Sequence, residues 1–105
     1  MLVHAGELRL MALDFVNDPG VIDGATLAAN EAVEMVTKRG EDAVTDAAGD
    51  PLTVIQASPA PQISGTQIMF WCDFTDVPAG RYWLRGTVDL SNDETAKAEA
   101  IVIVE

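Results

Sequence analysis

The stretch RYWLRGTVDL (residues 81–90), SNDE (91–94) and TAKAEAIVIVE (95–105) decides the reading of the whole chain. In its first arm Tyr82, Leu84, Gly86, Val88 and Leu90 fall on one face, and Arg81, Trp83, Arg85, Thr87 and Asp89 on the other. Its second arm sets Ala96, Ala98, Ala100, Val102 and Val104 against Lys97, Glu99, Ile101 and Ile103. A period of two in both arms, with Ser91, Asn92, Asp93 and Glu94 as turn chemistry between them, predicts a β-hairpin.

Strand signals continue upstream. Over Gln67 to Phe74, Ile68, Phe70, Cys72 and Phe74 alternate with Met69 and Trp71. Leu52 to Ala57 reads as a short strand, and Ser58 to Gly65, with Pro59 and Pro61, as a loop or an edge. Glu7 to Phe15 opens with Leu8 and Leu10 against Glu7 and Arg9, and Asn17-Asp18-Pro19-Gly20 ends it. Leu27 to Lys38 is rich in helix formers interrupted by Asn30, yet Val33, Met35 and Thr37 alternate with Glu34, and a strand over Ala32 to Thr37 is predicted. Arg39 to Asp50 reads as a polar, acidic turn.

Six or seven short strands without βαβ spacing predict an all-β fold, an antiparallel β-sandwich. Pro78-Ala79-Gly80-Arg81-Tyr82, at the entry to the penultimate strand, matches the tyrosine corner of immunoglobulin-like sandwiches. The prediction is therefore an Ig-like sandwich closed by the C-terminal hairpin. With 105 residues it forms one domain over 1–105, residues 1–6 serving as an extended N-terminal arm.

Composition narrows the function. Hydrophobic residues make up 49% of the chain and charged residues 22%, the balance of a folded domain. Seventeen Asp and Glu against six Lys and Arg give a formal charge of -11, which opposes phosphate backbones and anionic lipid. Neither nucleic acid nor a membrane surface is an expected partner. The acidic residues are scattered and read as a solvated skin. The N-terminal residues lack a basic region followed by an apolar one, so an unprocessed chain made in the cytoplasm is expected.

Little points to chemistry. Cys72 is the single cysteine, which excludes an internal disulfide, and its place in the apolar phase with Phe70 and Phe74 reads as a small buried hydrophobe. His4 is the single histidine, lies among the first residues and has no second imidazole to share a metal or a proton. The turns at Asn17 to Asp23 and Ser91 to Glu94 are oxygen-rich but lack the calcium-loop rhythm, and Asx turns explain them. No catalytic residue, metal or cofactor is expected.

The informative residues are apolar ones in the outward phase. One hairpin register sets Trp83 against Ile103 and Arg85 against Ile101; a slip of two sets Trp83 against Ile101 and Arg85 against Glu99. Either makes a patch of Trp83, Arg85, Ile101 and Ile103, the residue types of energetic interface centres, and burial against another subunit is expected. The competing account covers this face with the chain's own segment from Ala57 to Gly65. Met69 and Trp71 raise the same question on their strand. A carbohydrate-binding sandwich stacking Trp71 and Trp83 on sugar rings is the alternative from another class.

These residues together resemble small Ig-like virion structural proteins of tailed phages, particularly the phage fibre-tail adaptor proteins. The resemblance runs from Asp23-Gly24-Ala25-Thr26-Leu27-Ala28, through Gly65 to Trp71 and Ala79-Gly80-Arg81-Tyr82, to Ser91-Asn92-Asp93-Glu94 and Ile101 to Glu105. The chain departs from that pattern in having Asn92-Asp93 where a glycine is usual, and in lacking the family's N-terminal tryptophan. The resemblance implies a non-catalytic subunit made in the host cytoplasm and built in several copies into the virion. It would join tail or neck to fibre, or alternatively decorate the capsid, with other virion proteins as its partners.

Overall fold

A computed structural model describes residues 1–37 and 43–105. The elements run β1 (Leu2–Val3), β2 (Leu8–Asp14), α1 (Pro19–Ile22), β3 (Leu27–Thr37), β4 (Gln62–Ser64), β5 (Gln67–Asp73), β6 (Gly80–Leu90) and β7 (Thr95–Val104). Strands β1-β7-β6-β3 form one sheet and β2-β5-β4 the other. A sandwich of six or seven strands is expected and seven are found among the described residues, and the division of its second, fourth and fifth strands from its third, sixth and seventh is that of an immunoglobulin-like fold.

The hairpin is β6 and β7, in the second of the two registers: Trp83 lies opposite Ile101 and Arg85 opposite Glu99. Its inward residues Tyr82, Leu84, Val88, Val102 and Val104 meet Met11, Leu13, Phe15, Ile68, Phe70, Cys72 and Phe74 of the other sheet in one buried cluster. Each fully buried large side chain contributes about 1.5–3 kcal/mol relative to exposure, so this two-sheet contact is the main source of stability. The tyrosine corner is present: Tyr82 Oη donates to the Pro78 carbonyl at 2.7 Å.

Several expectations change. The sandwich is not wholly antiparallel, because Leu2 and Val3 pair in parallel with Ile103 and Val104. The first residues are extended, as expected of an arm, but seated: Val3 is fully buried and the Met1 amine donates to the Ile101 carbonyl at 2.9 Å. Strand β3 starts at Leu27, earlier than Ala32, with irregular register against β6 between Leu27 and Ala32. Asn30 sits in that irregularity at a φ of 55°, a conformation asparagine tolerates better than most residues.

Leu52 to Ala57 does not form a strand. The edge of β5 that it reaches is already taken by β4 along Gln67 to Met69, leaving an isolated bridge of Ile55 to Cys72 and the bonds Gln56 N to Trp71 O and Asp73 N to Val54 O. Too few positions remain to continue a ladder. The turn expected over Arg39 to Asp50 lies partly outside the described residues; within them, Thr45 bridges Pro51, and Asp46 accepts from the amides of Ala48 and Asp50.

Candidate functional site

The outward phase of the four-stranded sheet carries the apolar strip. Trp83 lies between Ile101 on β7 and Val36 on β3, and one pair further along Arg81 lies opposite Ile103, which faces Leu2 on its other side. Leu2, Ile101 and Ile103 are 53%, 44% and 38% exposed, Trp83 is half-buried, and Val36 is buried. The segment from Ala57 to Gly65 does not cover this strip, since its Gln62–Ser64 belongs to the other sheet.

Arg85 stands apart from the expected patch. Its Nη2 lies 2.8 Å from Glu34 Oε1 on the neighbouring strand, and Glu99 is opposite it on the other side. Its charge is therefore engaged within its own sheet. Arg81 is exposed and makes no ion pair among the described residues, so it is the available cation beside the apolar strip.

A second strip occupies the outer face of the three-stranded sheet. Trp71 lies opposite Leu10, Met69 opposite Ala12 and Gln62, and Asp73 opposite Leu8. Leu8 and Leu10 are 54% and 49% exposed, while Trp71 and Met69 are half-buried. Sequence reasoning named Met69 and Trp71 but missed Leu8, Leu10 and Leu2. The phase of β2 is set by Met11, Leu13 and Phe15, which point into the core, and counting back in twos from Phe15 turns Leu8 and Leu10 outward. Leu2 had no such signal, because its position depends on a parallel pairing with the far end of the chain.

Both strips approach the same end of the sandwich, where residues 4–7 cross from one sheet to the other. There the amide of Ala5 donates to the Glu105 carbonyl at 2.8 Å and that of Gly6 to the Phe74 carbonyl at 3.0 Å. Asp73, beside Leu8, accepts from Thr75, and those hydrogen bonds hold its carboxyl below the usual range. The strip on the first sheet thus adjoins a cation that is unpaired among the described residues, and that on the second a firmly ionised carboxylate.

Several of the chemical groups that the sequence singles out are buried or hydrogen-bonded. Burial pushes the Cys72 thiol up to about 12, far from a reactive thiolate at neutral pH. The His4 amide donates to Glu7 Oε1 at 2.6 Å, and the Glu7 carboxylate also holds Arg9 at 2.9 Å. Asp18 accepts from Gly20 N at the start of α1, and Asn92 from Glu94 N in the hairpin turn, the Asx geometry expected of both oxygen-rich turns. Among the described residues no three His, Cys, Asp or Glu side chains are grouped to hold a metal ion. A depression of about 610 Å³ over Gly86 is rimmed by Glu34, Arg85, Lys97 and Glu99, two charges of each sign. In comparisons with protein-family models, curated proteins and solved structures, the chain finds no match.

Proposed function

We propose that this domain is a non-catalytic structural subunit of a tailed-phage virion, present in several copies as a fibre-tail adaptor at the tail or neck. The observation that carries the reading is the pair of uncovered apolar strips, Leu2, Ile101 and Ile103 beside Trp83 on one sheet and Leu8 and Leu10 beside Trp71 on the other. A sheet face destined for water alternates polar residues outward; aliphatic and indole side chains there favour burial against another polypeptide. The sequence resemblance to virion adaptor proteins gives that polypeptide its class. The charge of -11 suits a subunit that must stay dispersed until it assembles. Stacking on sugar rings is less well served, because both indoles are half-buried in their own sheets.

Replacing Trp83 by Ala tests the reading. Incorporation of the subunit into purified particles should fall while the isolated domain keeps its fold. Unfolding of the variant would place Trp83 in the core instead. Antibody labelling of particles distinguishes the tail from the head surface, and labelling of the head would replace the adaptor role with capsid decoration. Flanking genes for capsid, portal and tail proteins are expected, and their absence counts against a virion role.

A further inference from the structure

The two strips correspond row by row. On the first sheet, Trp83 pairs with Ile101 and the next row toward the shared end holds Arg81, Ile103 and Leu2. On the second, Trp71 pairs with Leu10 and the next row toward that end holds Asp73 and Leu8. Each strip is an indole-aliphatic row followed by an aliphatic row bearing one charge, and the two charges are opposite.

The wider charge distribution agrees. Of the four Lys and Arg among the described residues, Arg81, Arg85 and Lys97 point outward from the first sheet, and only Arg9 belongs to the second. The outward strand residues of the second sheet carry Asp14 and Asp73 and no cation. Among the described residues none of the carboxylates of the first face pairs with Arg81: Glu34 holds Arg85, Glu99 is opposite Arg85, Asp89 accepts from Asn30 and Thr95, and Glu105 makes no ion pair.

We infer that copies of this chain stack head to tail, the outer face of the four-stranded sheet of one copy lying on the outer face of the three-stranded sheet of the next, with Arg81 meeting Asp73 of that neighbour. The inference rests on the assembly role proposed above and names a second copy as the occupant of both strips. The outer faces of two packed sheets look in opposite directions, so the contact is heterologous, and each added copy leaves one face of either kind open. Such a contact propagates into a ring or a filament. The shared net charge of -11 opposes random association, and screening over about 8 Å at physiological salt leaves the local match of Arg81 and Asp73 to select this pairing.

Sedimentation velocity on the full chain tests this with one variant for each face. Ile101→Asp blocks the first strip and Leu10→Asp the second; both positions are about half exposed, and circular dichroism checks that the variants remain folded. Wild type should grow through a series of oligomers with concentration, each variant alone should be monomeric, and their equimolar mixture should stop at a one-to-one dimer joined by the two intact faces. Arg81→Asp should weaken self-association about tenfold, and adding Asp73→Arg to the same chain should restore it. Wild type that stays monomeric at every concentration overturns the inference. So does a single-face variant that still dimerises, or a mixture that stays monomeric. Monomeric wild type that nevertheless enters particles through Trp83 would remove the stacking and leave the assembly role standing.

Discussion

The Tyr82 hydroxyl reaches back four residues to the Pro78 carbonyl, at 2.7 Å, and fixes the turn between β5 and β6 to the first residues of β6. Tyr82 is nearly buried, and desolvation raises its pKa, so its proton stays on the phenol and the bond is always made at neutral pH. Tyr82→Phe keeps the ring and removes the donor. Loss of about 1 kcal/mol in urea unfolding is expected, with the denaturant slope unchanged. A variant as stable as wild type would mean that water satisfies the Pro78 carbonyl equally well.

Asn30 and Asp89 are joined across β3 and β6 at 2.6 Å, through a residue whose φ of 55° lies in the left-handed region. Asn30→Val forces a branched side chain into that conformation and should cost about 1–2 kcal/mol. Asn30→Gly keeps the backbone at ease and loses only an exposed hydrogen bond, so its midpoint should lie much closer to wild type. Equal losses in the two variants would show that the backbone conformation at this position is not what matters.

The same residue explains part of what could be read from the sequence. Asn30 interrupts a run of helix formers, and in the folded chain it marks a register irregularity within a strand, so β3 extends through Leu27 and Ala28 despite their propensity. Pairing with β6 outweighs local preference there. The hairpin, β5 and the tyrosine corner were legible because alternation and turn chemistry are local. The parallel contact of Leu2 with Ile103 joins opposite ends of the chain and has no local signature. In the candidate site, Trp83, Ile101 and Ile103 were legible from the phase of two strands, whereas the engagement of Arg85 by Glu34 depends on a third strand whose register the sequence left open.

Cys72 gives a pH dependence with a definite sign. Burial moves its thiol from an ordinary 9.0 to about 12, so the folded chain holds this proton more tightly than the unfolded one. Tyr82 is raised by the same cause. Stability from both groups is complete below their unfolded values and is lost as pH rises through the folded ones. The urea midpoint should therefore fall as pH rises from about 9 towards about 12, and Cys72→Ala should flatten part of that fall while lowering the neutral midpoint. At neutral pH a thiol reagent should label Cys72 only after denaturant is added. Rapid labelling of the native chain would contradict its burial.

Leu84 and Ile101 test the division of β6 and β7 into an inner and an outer phase. Leu84 is 1% exposed within the core cluster, so Leu84→Ala removes buried methyl groups and leaves a cavity, at an expected cost of about 2–5 kcal/mol. Ile101 is opposite Trp83 on the outer face and nearly half exposed, and threonine keeps a branched, strand-compatible side chain there. Ile101→Thr should change the stability of the monomeric domain by no more than about 0.5 kcal/mol. The contrast separates two places for apolar residues on adjacent pairs of one hairpin: Leu84 holds the sheets together, and Ile101 stays exposed on the outer face. A loss at Ile101 as large as that at Leu84, measured on monomer, would mean that the chain itself already buries this side chain and that the first strip is not available to a second subunit.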